Sequence, residues 1–112
     1  MDNRSLALLS AEVMENKKAE DVTVLHIEGK ASFADYLVIA SGRSERQIGA
    51  RADDVQDAYA EQGVIARSVE GKKESGWILM DFGDVIVNVL TEEMRERYKI
   101  EKVWADCEVI KE

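Results

Sequence analysis

The stretch Tyr36-Leu37-Val38-Ile39-Ala40-Ser41-Gly42-Arg43-Ser44 decides the architecture of this 112-residue chain. Its first six residues are almost continuously apolar, which is typical of a strand buried on both faces at the centre of a sheet. Ser44 and Gln47 stand three residues apart, as in a capping box, where two side chains satisfy free backbone N–H groups at a helix start. The stretch therefore predicts a central strand that turns directly into a helix.

Apolar spacing predicts further elements on both sides of this unit. Leu6, Leu9 and Val13 recur at helical spacing and predict a first helix over residues 5–16. Gly63 is the expected end of the helix that begins at Ser44, because glycine readily adopts the left-handed conformation that follows many helices. Runs rich in β-branched residues predict strands at 22–27 and 64–69.

The second half of the chain carries the clearest hairpin. Two apolar runs, 77–81 and 85–90, flank Gly83-Asp84, where a tight turn needs a positive φ. Thr91 is the expected cap of a last short helix. The order α-β-β-α-β-β-β-α predicts an α/β fold: a mixed five-stranded sheet with packed helices, in a single domain 1–112 whose tail, 105–112, is loose.

Composition and charge limit the classes of function. The chain has 15 Lys and Arg against 23 Asp and Glu, a net charge of −8, and its basic residues come at most in pairs. Little direct binding to nucleic acid is therefore expected, whereas a basic protein would suit the acidic surface. The longest apolar run, 36–40, is far shorter than the ~20 residues that span a bilayer. With no signal-like start and a single cysteine, Cys107, a cytoplasmic location is expected.

No catalytic or metal-binding set is visible. His26 and Cys107 are the sole imidazole and thiol, so neither nucleophilic catalysis nor a zinc-type site is expected. Asp81 and Asp84 lack the Asp-x-Asp spacing that would place two carboxylates on one face of a strand, and either shape the turn or meet a partner. Trp77 fits a core position and an interface anchor equally well. The residues thus indicate a binding module that needs no cofactor.

The order and spacing of several motifs resemble those of one known family. They are Ala34-Asp35 together with the stretch quoted above, Arg46-Gln47, Glu70-Gly71, the hairpin 77–89, Arg95, Tyr98 and the block 100–104. Over about residues 5–104 the chain resembles the ribosomal silencing factor family, also called Iojap-like.

The resemblance implies a fold and a function. The fold would be nucleotidyltransferase-like without nucleotidyltransferase activity, so the protein would not be an enzyme. The partner would be the large ribosomal subunit, bound through the basic ribosomal protein L-fourteen. Occupying that site would block joining of the small subunit and repress translation under nutrient limitation.

The resemblance also implies a contact surface, at Glu70, Trp77, Met80, Asp81, Phe82, Gly83 and Asp84, with Arg95 and Tyr98 nearby. Asp35, Arg46 and Gln47 are expected to hold the fold or border the site. Asn88 departs from the family pattern, which commonly has histidine there.

Two alternatives to this function stay open at the level of sequence. One is a degenerate nucleotidyltransferase-like enzyme that uses Ser44, Asp81 and Asp84. The other is a homodimeric scaffold that associates through an exposed sheet edge.

Overall fold

The computed structural model describes residues 1–111, which form three α-helices and one six-stranded sheet. In chain order the elements are α1 (Asn3–Asn16), β1 (Glu20–His26), β2 (Tyr36–Gly42), α2 (Glu45–Glu61), β3 (Ser68–Glu70), β4 (Trp77–Asp81), β5 (Val85–Thr91), α3 (Glu92–Tyr98) and β6 (Glu108–Lys111), with short 3₁₀ helices at Lys73–Ser75 and Ile100–Trp104.

The sheet is mixed, with the strand order β3-β4-β5-β2-β1-β6. β2 pairs in parallel with β5, from Tyr36 beside Val85 to Gly42 beside Thr91, and the other neighbours are antiparallel. All seven residues of β2 are buried, which confirms the predicted central strand. The outer strands are β3 and β6, and self-association through either edge stays a prediction.

Each face of the sheet carries a separate apolar cluster. On the first face α1 and α2 cover the sheet, and α2 buries Ile48, Val55 and Tyr59 at helical spacing. Tyr59 Oη donates to the backbone oxygen of Leu6 at 2.6 Å, and burial raises the pKa of Tyr59 to about 12. On the second face α3 and the 3₁₀ turn Ile100–Trp104 form a smaller cover. Because α3 is short, part of this second face stays open.

The local signals for helix ends are confirmed. The Ser44 hydroxyl accepts from Gln47 N–H at 3.0 Å, and Gln47 Oε1 accepts from the backbone N–H of Arg43 at 2.6 Å, one residue before the partner expected in a capping box. Gly63 has φ +76° directly after α2, and Thr91 caps α3 through Met94 N–H.

Two strand predictions are corrected. The sheet has six strands, because residues Glu108–Lys111 of the expected loose tail pair with β1. Without them β1 would be an edge strand with a row of unpaired backbone groups. Glu112 lies outside the described residues. The strand predicted at 64–69 is only Ser68–Glu70, since Val64 N–H closes the end of α2 by donating to the Tyr59 carbonyl.

Ionic contacts hold the sixth strand to the body. His26 lies between two carboxylates: its Nε2 is 3.1 Å from Glu28 Oε1 and its Nδ1 is 3.3 Å from Glu108 Oε1 on β6. These two acids raise the pKa of the His26 imidazole above its ordinary value. At the other end of β6, Lys111 pairs with Glu15 of α1 at 3.0 Å.

The His26 contacts predict a stability that depends on pH. A raised pKa means that protonation stabilises the folded state; this contribution is full below the unfolded pKa of 6.5 and is lost as pH rises through the folded value. We therefore expect His26→Gln to lower the free energy of unfolding more at about pH 5.5 than at about pH 8.5. Urea titrations at the two pH values measure the difference.

Glu108→Gln supplies the control for this titration, since it removes one of the two carboxylates and should shrink the pH-dependent part. The ring of His26 also stacks on Tyr36 at a centroid distance of 4.8 Å, but that contact contributes at both pH values. A loss in His26→Gln that does not change with pH would contradict the expectation.

Candidate functional site

One open part of the second sheet face lies at the β3–β4 end. Here a shallow groove of about 300 Å³ is lined by Glu70, Gly71, Ser75, Trp77, Leu79 and Met94; we call it the indole groove. Side chains alternate along a strand, so Trp77, Leu79 and Asp81 share this face of β4. Trp77, Leu79 and Met94 pack on the second apolar cluster while remaining half-buried. The groove is therefore an apolar surface that the fold does not cover.

Trp77 forms one wall of the indole groove. Its Nε1 donates to Asn88 Oδ1 at 2.9 Å, and its ring lies 5.4 Å from that of Tyr98, tilted by 47°. Tyr98, near the end of α3, is 52% exposed. For Trp77 the sequence left a core position and an interface anchor equally open. In the structure one edge of the ring is held by the sheet and the ring borders the groove. Its role as an interface anchor stays a prediction.

A tight loop forms the rim beside Trp77. Gly71 has φ +82°, and a Cβ placed there would lie 2.2 Å from the carbonyl oxygen of Trp77. Ser75 closes the same loop, since its hydroxyl accepts from Lys72 N–H at 3.2 Å. Glycine is thus required at position 71 for two reasons: its positive φ, and the close approach of the Trp77 carbonyl, which leaves no room for a Cβ.

An alanine held in the left-handed conformation costs ~1–3 kcal/mol, and this cost applies to both Gly71→Ala and Gly63→Ala. We expect Gly71→Ala to destabilise the protein by about 1 kcal/mol more than Gly63→Ala, or by a larger margin. Both glycines have positive φ, +82° and +76°, but nothing lies within 4 Å of a Cβ at position 63. Urea unfolding of the two variants measures the difference. Equal losses would show that the Trp77 carbonyl moves aside freely.

The hairpin turn, 82–84, lies at the far end of β4 from Trp77. Asp81 Oδ1 accepts from Gly83 N–H at 2.8 Å, and Gly83 has φ +96°, so Asp81 shapes the turn. Phe82 packs its ring 4.4 Å from that of Tyr59 in the first cluster. Asp84 is exposed; its carboxylate accepts from Asn3 Nδ2 at 3.2 Å, and its backbone oxygen accepts from Tyr36 N–H.

The nine expected contact residues therefore do not form one cluster. Glu70 and Trp77 line the indole groove and Tyr98 lies beside the Trp77 ring, whereas the turn begins at Asp81, about 13 Å along β4 from Trp77. Met80 points to the opposite face and is fully buried among the residues under α1 and α2. Any contribution of Met80 to binding must act through the packing of β4.

Arg95 projects from α3 toward the sheet. Its side chain is 11% exposed, and its guanidinium donates to Ser41 Oγ at 3.1 Å, to Thr23 Oγ1 at 3.3 Å and to the backbone oxygen of Asp21. It also pairs with Glu101 at 3.5 Å. Arg95 thus fastens α3 and the following 3₁₀ turn to β1 and β2, beside a hollow of about 850 Å³ with walls of mixed charge.

The alternative enzymatic set is not assembled. Ser44 follows the Gly42 end of β2, whereas Asp84 adjoins its Tyr36 end, so the hydroxyl and the turn carboxylates lie about 20 Å apart along the strand. Ser44 is also engaged as the cap of α2. Within residues 1–111 no group of three or more His, Cys, Asp or Glu side chains is placed to hold a metal ion. None of the helices in that part of the chain combines the length and apolarity of a bilayer-spanning helix.

Sequence reasoning missed two members of the site and the structural role of a third. Leu79 and Met94 line the groove, and Asn88 anchors Trp77 from the neighbouring strand. Alternation along β4 was a sufficient signal for Leu79, which must share the face of Trp77. The other two depend on how α3 and β5 pack around the indole, which no local pattern reveals.

Comparison with known families gives one consistent match. The sequence profile described as "Ribosomal silencing factor during starvation" matches residues 1–112. Ribosomal silencing factor RsfS of Bacillus subtilis (strain 168) is 37% identical over 107 residues, which cover 96% of this chain and 91% of that protein. "Mitochondrial assembly of ribosomal large subunit protein 1" of Mus musculus is 30% identical over 97 residues, covering 82% of this chain and 42% of the mouse protein.

Two crystal structures share the fold. A Chromobacterium violaceum protein superposes with a TM-score of 0.89 at 33% identity, covering 94% of this chain and 88% of its own. A Bacillus halodurans protein gives a TM-score of 0.83, also at 33% identity, with 98% of this chain and all of the other covered. The overall fold described above is therefore shared with these two experimentally solved structures.

Proposed function

This chain belongs to the ribosomal silencing factor family, as its motifs indicated, and from that premise we propose that it binds the large ribosomal subunit through ribosomal protein L-fourteen. Bound there in the cytoplasm, it blocks joining of the small subunit and represses translation under nutrient limitation. The observation that carries the proposal is the indole groove, an uncovered apolar surface in a chain of this family, lined by Trp77, whose ring lies beside that of Tyr98.

The contact surface is proposed to centre on the indole groove. Trp77 and Tyr98 supply rigid aromatic area, the residue type that dominates binding energy at protein interfaces. Glu70 lines the groove and is exposed, and Asp81 lies on the same face two residues beyond Leu79. An apolar centre with acids at its margin suits a partner residue with an aliphatic stem and a cationic head.

The remaining expected contact residues are proposed to act in two ways. Phe82, Gly83 and Asp84 extend the surface along the end of the hairpin, where Asp84 is exposed. Met80 and Arg95 support the surface from behind. Met80 is buried on the opposite face of β4, and Arg95 projects from α3 toward the sheet.

Charge supports a basic protein as the partner. The net charge of −8 would repel RNA phosphates at long range but speed encounter with a cationic protein surface. This steering weakens with ionic strength, because exposed charges more than about 8 Å apart are largely screened at physiological salt.

The proposed mechanism is steric and needs no catalysis. A body of 33 × 32 × 24 Å seated on the joining face would occupy the space that the small subunit must enter. The nucleotidyltransferase-like fold would then serve as a scaffold, in keeping with the separation of Ser44 from Asp81 and Asp84.

Co-sedimentation with purified large subunits, followed by a subunit-joining assay, tests the proposal. We expect the protein to pellet with large but not with small subunits, and preincubated large subunits to form fewer complete ribosomes. Failure to pellet, or pelleting without any loss of joining, would overturn it. Pull-down of isolated L-fourteen distinguishes that protein from any other contact on the subunit.

A further inference from the structure

We propose that Asn88 is a positioning residue for partner binding, which acts by holding the indole of Trp77 in its binding orientation. Asn88 is 2% exposed, so it cannot itself provide a contact surface. Its Oδ1 accepts from Trp77 Nε1 at 2.9 Å. This inference rests on the proposed function, since it concerns the same groove.

The surroundings of Asn88 make this bond the evident reason for a polar residue there. In the sheet Asn88 lies directly between Leu79 of β4 and Ile39 of β2. The same face of its own strand carries Ile86 and Leu90, both in the second apolar cluster. A carboxamide buried among aliphatic side chains is unfavourable unless it is hydrogen-bonded, and the Trp77 indole supplies that bond.

The bond also determines where the indole ring can lie. Trp77 is only half-buried, so packing alone does not enclose the ring. Nε1–H is the single donor of the indole, and fixing it on a buried acceptor restricts the ring to an orientation in which it lies 5.4 Å from the ring of Tyr98. A ring fixed before binding loses less conformational freedom when a partner covers it.

Because Asn88 is buried, its departure from the family pattern is expected to affect binding in one specific way. An asparagine that touched the partner would change affinity by gaining or losing a direct contact. A buried asparagine changes affinity only through Trp77, so any other residue at this position is expected to preserve binding only if it accepts from the indole.

Hydrogen exchange of the two indole N–H groups in the free protein tests the placement. We expect the Trp77 N–H to exchange more slowly than that of Trp104, and the protection to be lost in Asn88→Leu, which has a similar volume and no acceptor. Asn88→Ala, which introduces no new bulk, serves if the leucine disturbs the sheet. Unchanged protection in both variants would overturn the proposal.

A double-mutant cycle with Trp77→Phe tests the consequence for binding. Losing one neutral hydrogen bond should weaken binding of Asn88→Leu to the large subunit by about 3- to 10-fold. In the Trp77→Phe background, which keeps a ring but has no donor, Asn88→Leu should change affinity by less than about 2-fold. The same loss in both backgrounds would show that Asn88 does not act through Trp77.

The two failures are distinguishable. If wild-type protein does not bind the large subunit, the proposed function fails and the binding role of Asn88 fails with it. If wild type binds and the cycle shows no coupling, the proposed function stands and only the role of Asn88 is overturned.

Discussion

Trp77→Ala is expected to weaken binding to the large ribosomal subunit by about 30-fold or more, the loss typical of a central aromatic anchor. The substitution removes one wall of the indole groove and the ring that lies beside Tyr98. The fold should survive, since the side chain is half-buried at the start of β4 and outside the stretch that pairs with β3. Leaving the Asn88 carboxamide unpaired should cost about 1–3 kcal/mol of stability. Titration with purified large subunits, after circular dichroism has shown a folded protein, measures the effect.

Trp104→Ala is the matched control for this loss. It removes the second indole, which does not line the groove. The ring of Trp104 packs edge-on against that of Phe33 at a centroid distance of 5.9 Å. We expect its affinity for the large subunit to stay within about 2-fold of wild type, since contacts outside an interface centre are near neutral. A result in which Trp104→Ala loses more affinity than Trp77→Ala would move the interface to the 3₁₀ turn Ile100–Trp104.

Arg95→Ala is expected to lower the free energy of unfolding by about 2–4 kcal/mol. The guanidinium is largely buried and bonds to Ser41, Thr23 and the Asp21 backbone as well as to Glu101. Its removal takes a donor from each of these acceptors and uncouples α3 from β1 and β2. Glu101 Oε2 already lacks a partner among the described residues, so the carboxylate would lose its main compensation. Urea unfolding at neutral pH measures the loss.

Arg97→Ala provides the control on the same helix. Arg97 is exposed, and exposed substitutions away from special features usually change stability by no more than about 0.5 kcal/mol. If Arg95→Ala and Arg97→Ala lost equal stability, the contacts beneath α3 would contribute nothing beyond helix propensity and charge. Tyr98 lies on the same helix, so Arg95→Ala should also weaken binding to the large subunit.

Signals within one element were read correctly from the chain. The unbroken apolar run of β2 placed it at the sheet centre, and all its residues are buried. Ser44, Gly63 and Thr91 marked helix ends because capping needs only residues a few positions apart. The turn at Gly83 followed from the same short-range rule.

Signals that depend on distant partners were read wrongly or left open. The segment Glu108–Lys111 is too short for a periodic pattern. It becomes a strand because β1, more than eighty positions earlier, offers an unpaired edge. Arg95 was expected near the contact surface, and this stays a prediction; the packing of α3 on β2 directs its side chain inward. For the same reason the nine contact residues drawn together by motif order separate into a groove, a turn and two supports.

The chain by itself determined its family, its α/β class, its central strand and hairpin, and an acidic character suited to a basic partner. These properties depend on residue order, local backbone preference and summed charge, all of which are present before the chain folds. Only the tertiary structure decided that Trp77 is an anchored but uncovered ring, with Asn88 behind it and Tyr98 beside it. That arrangement depends on three elements meeting in space, since a short α3 covers the sheet up to the indole and leaves the β3–β4 end open.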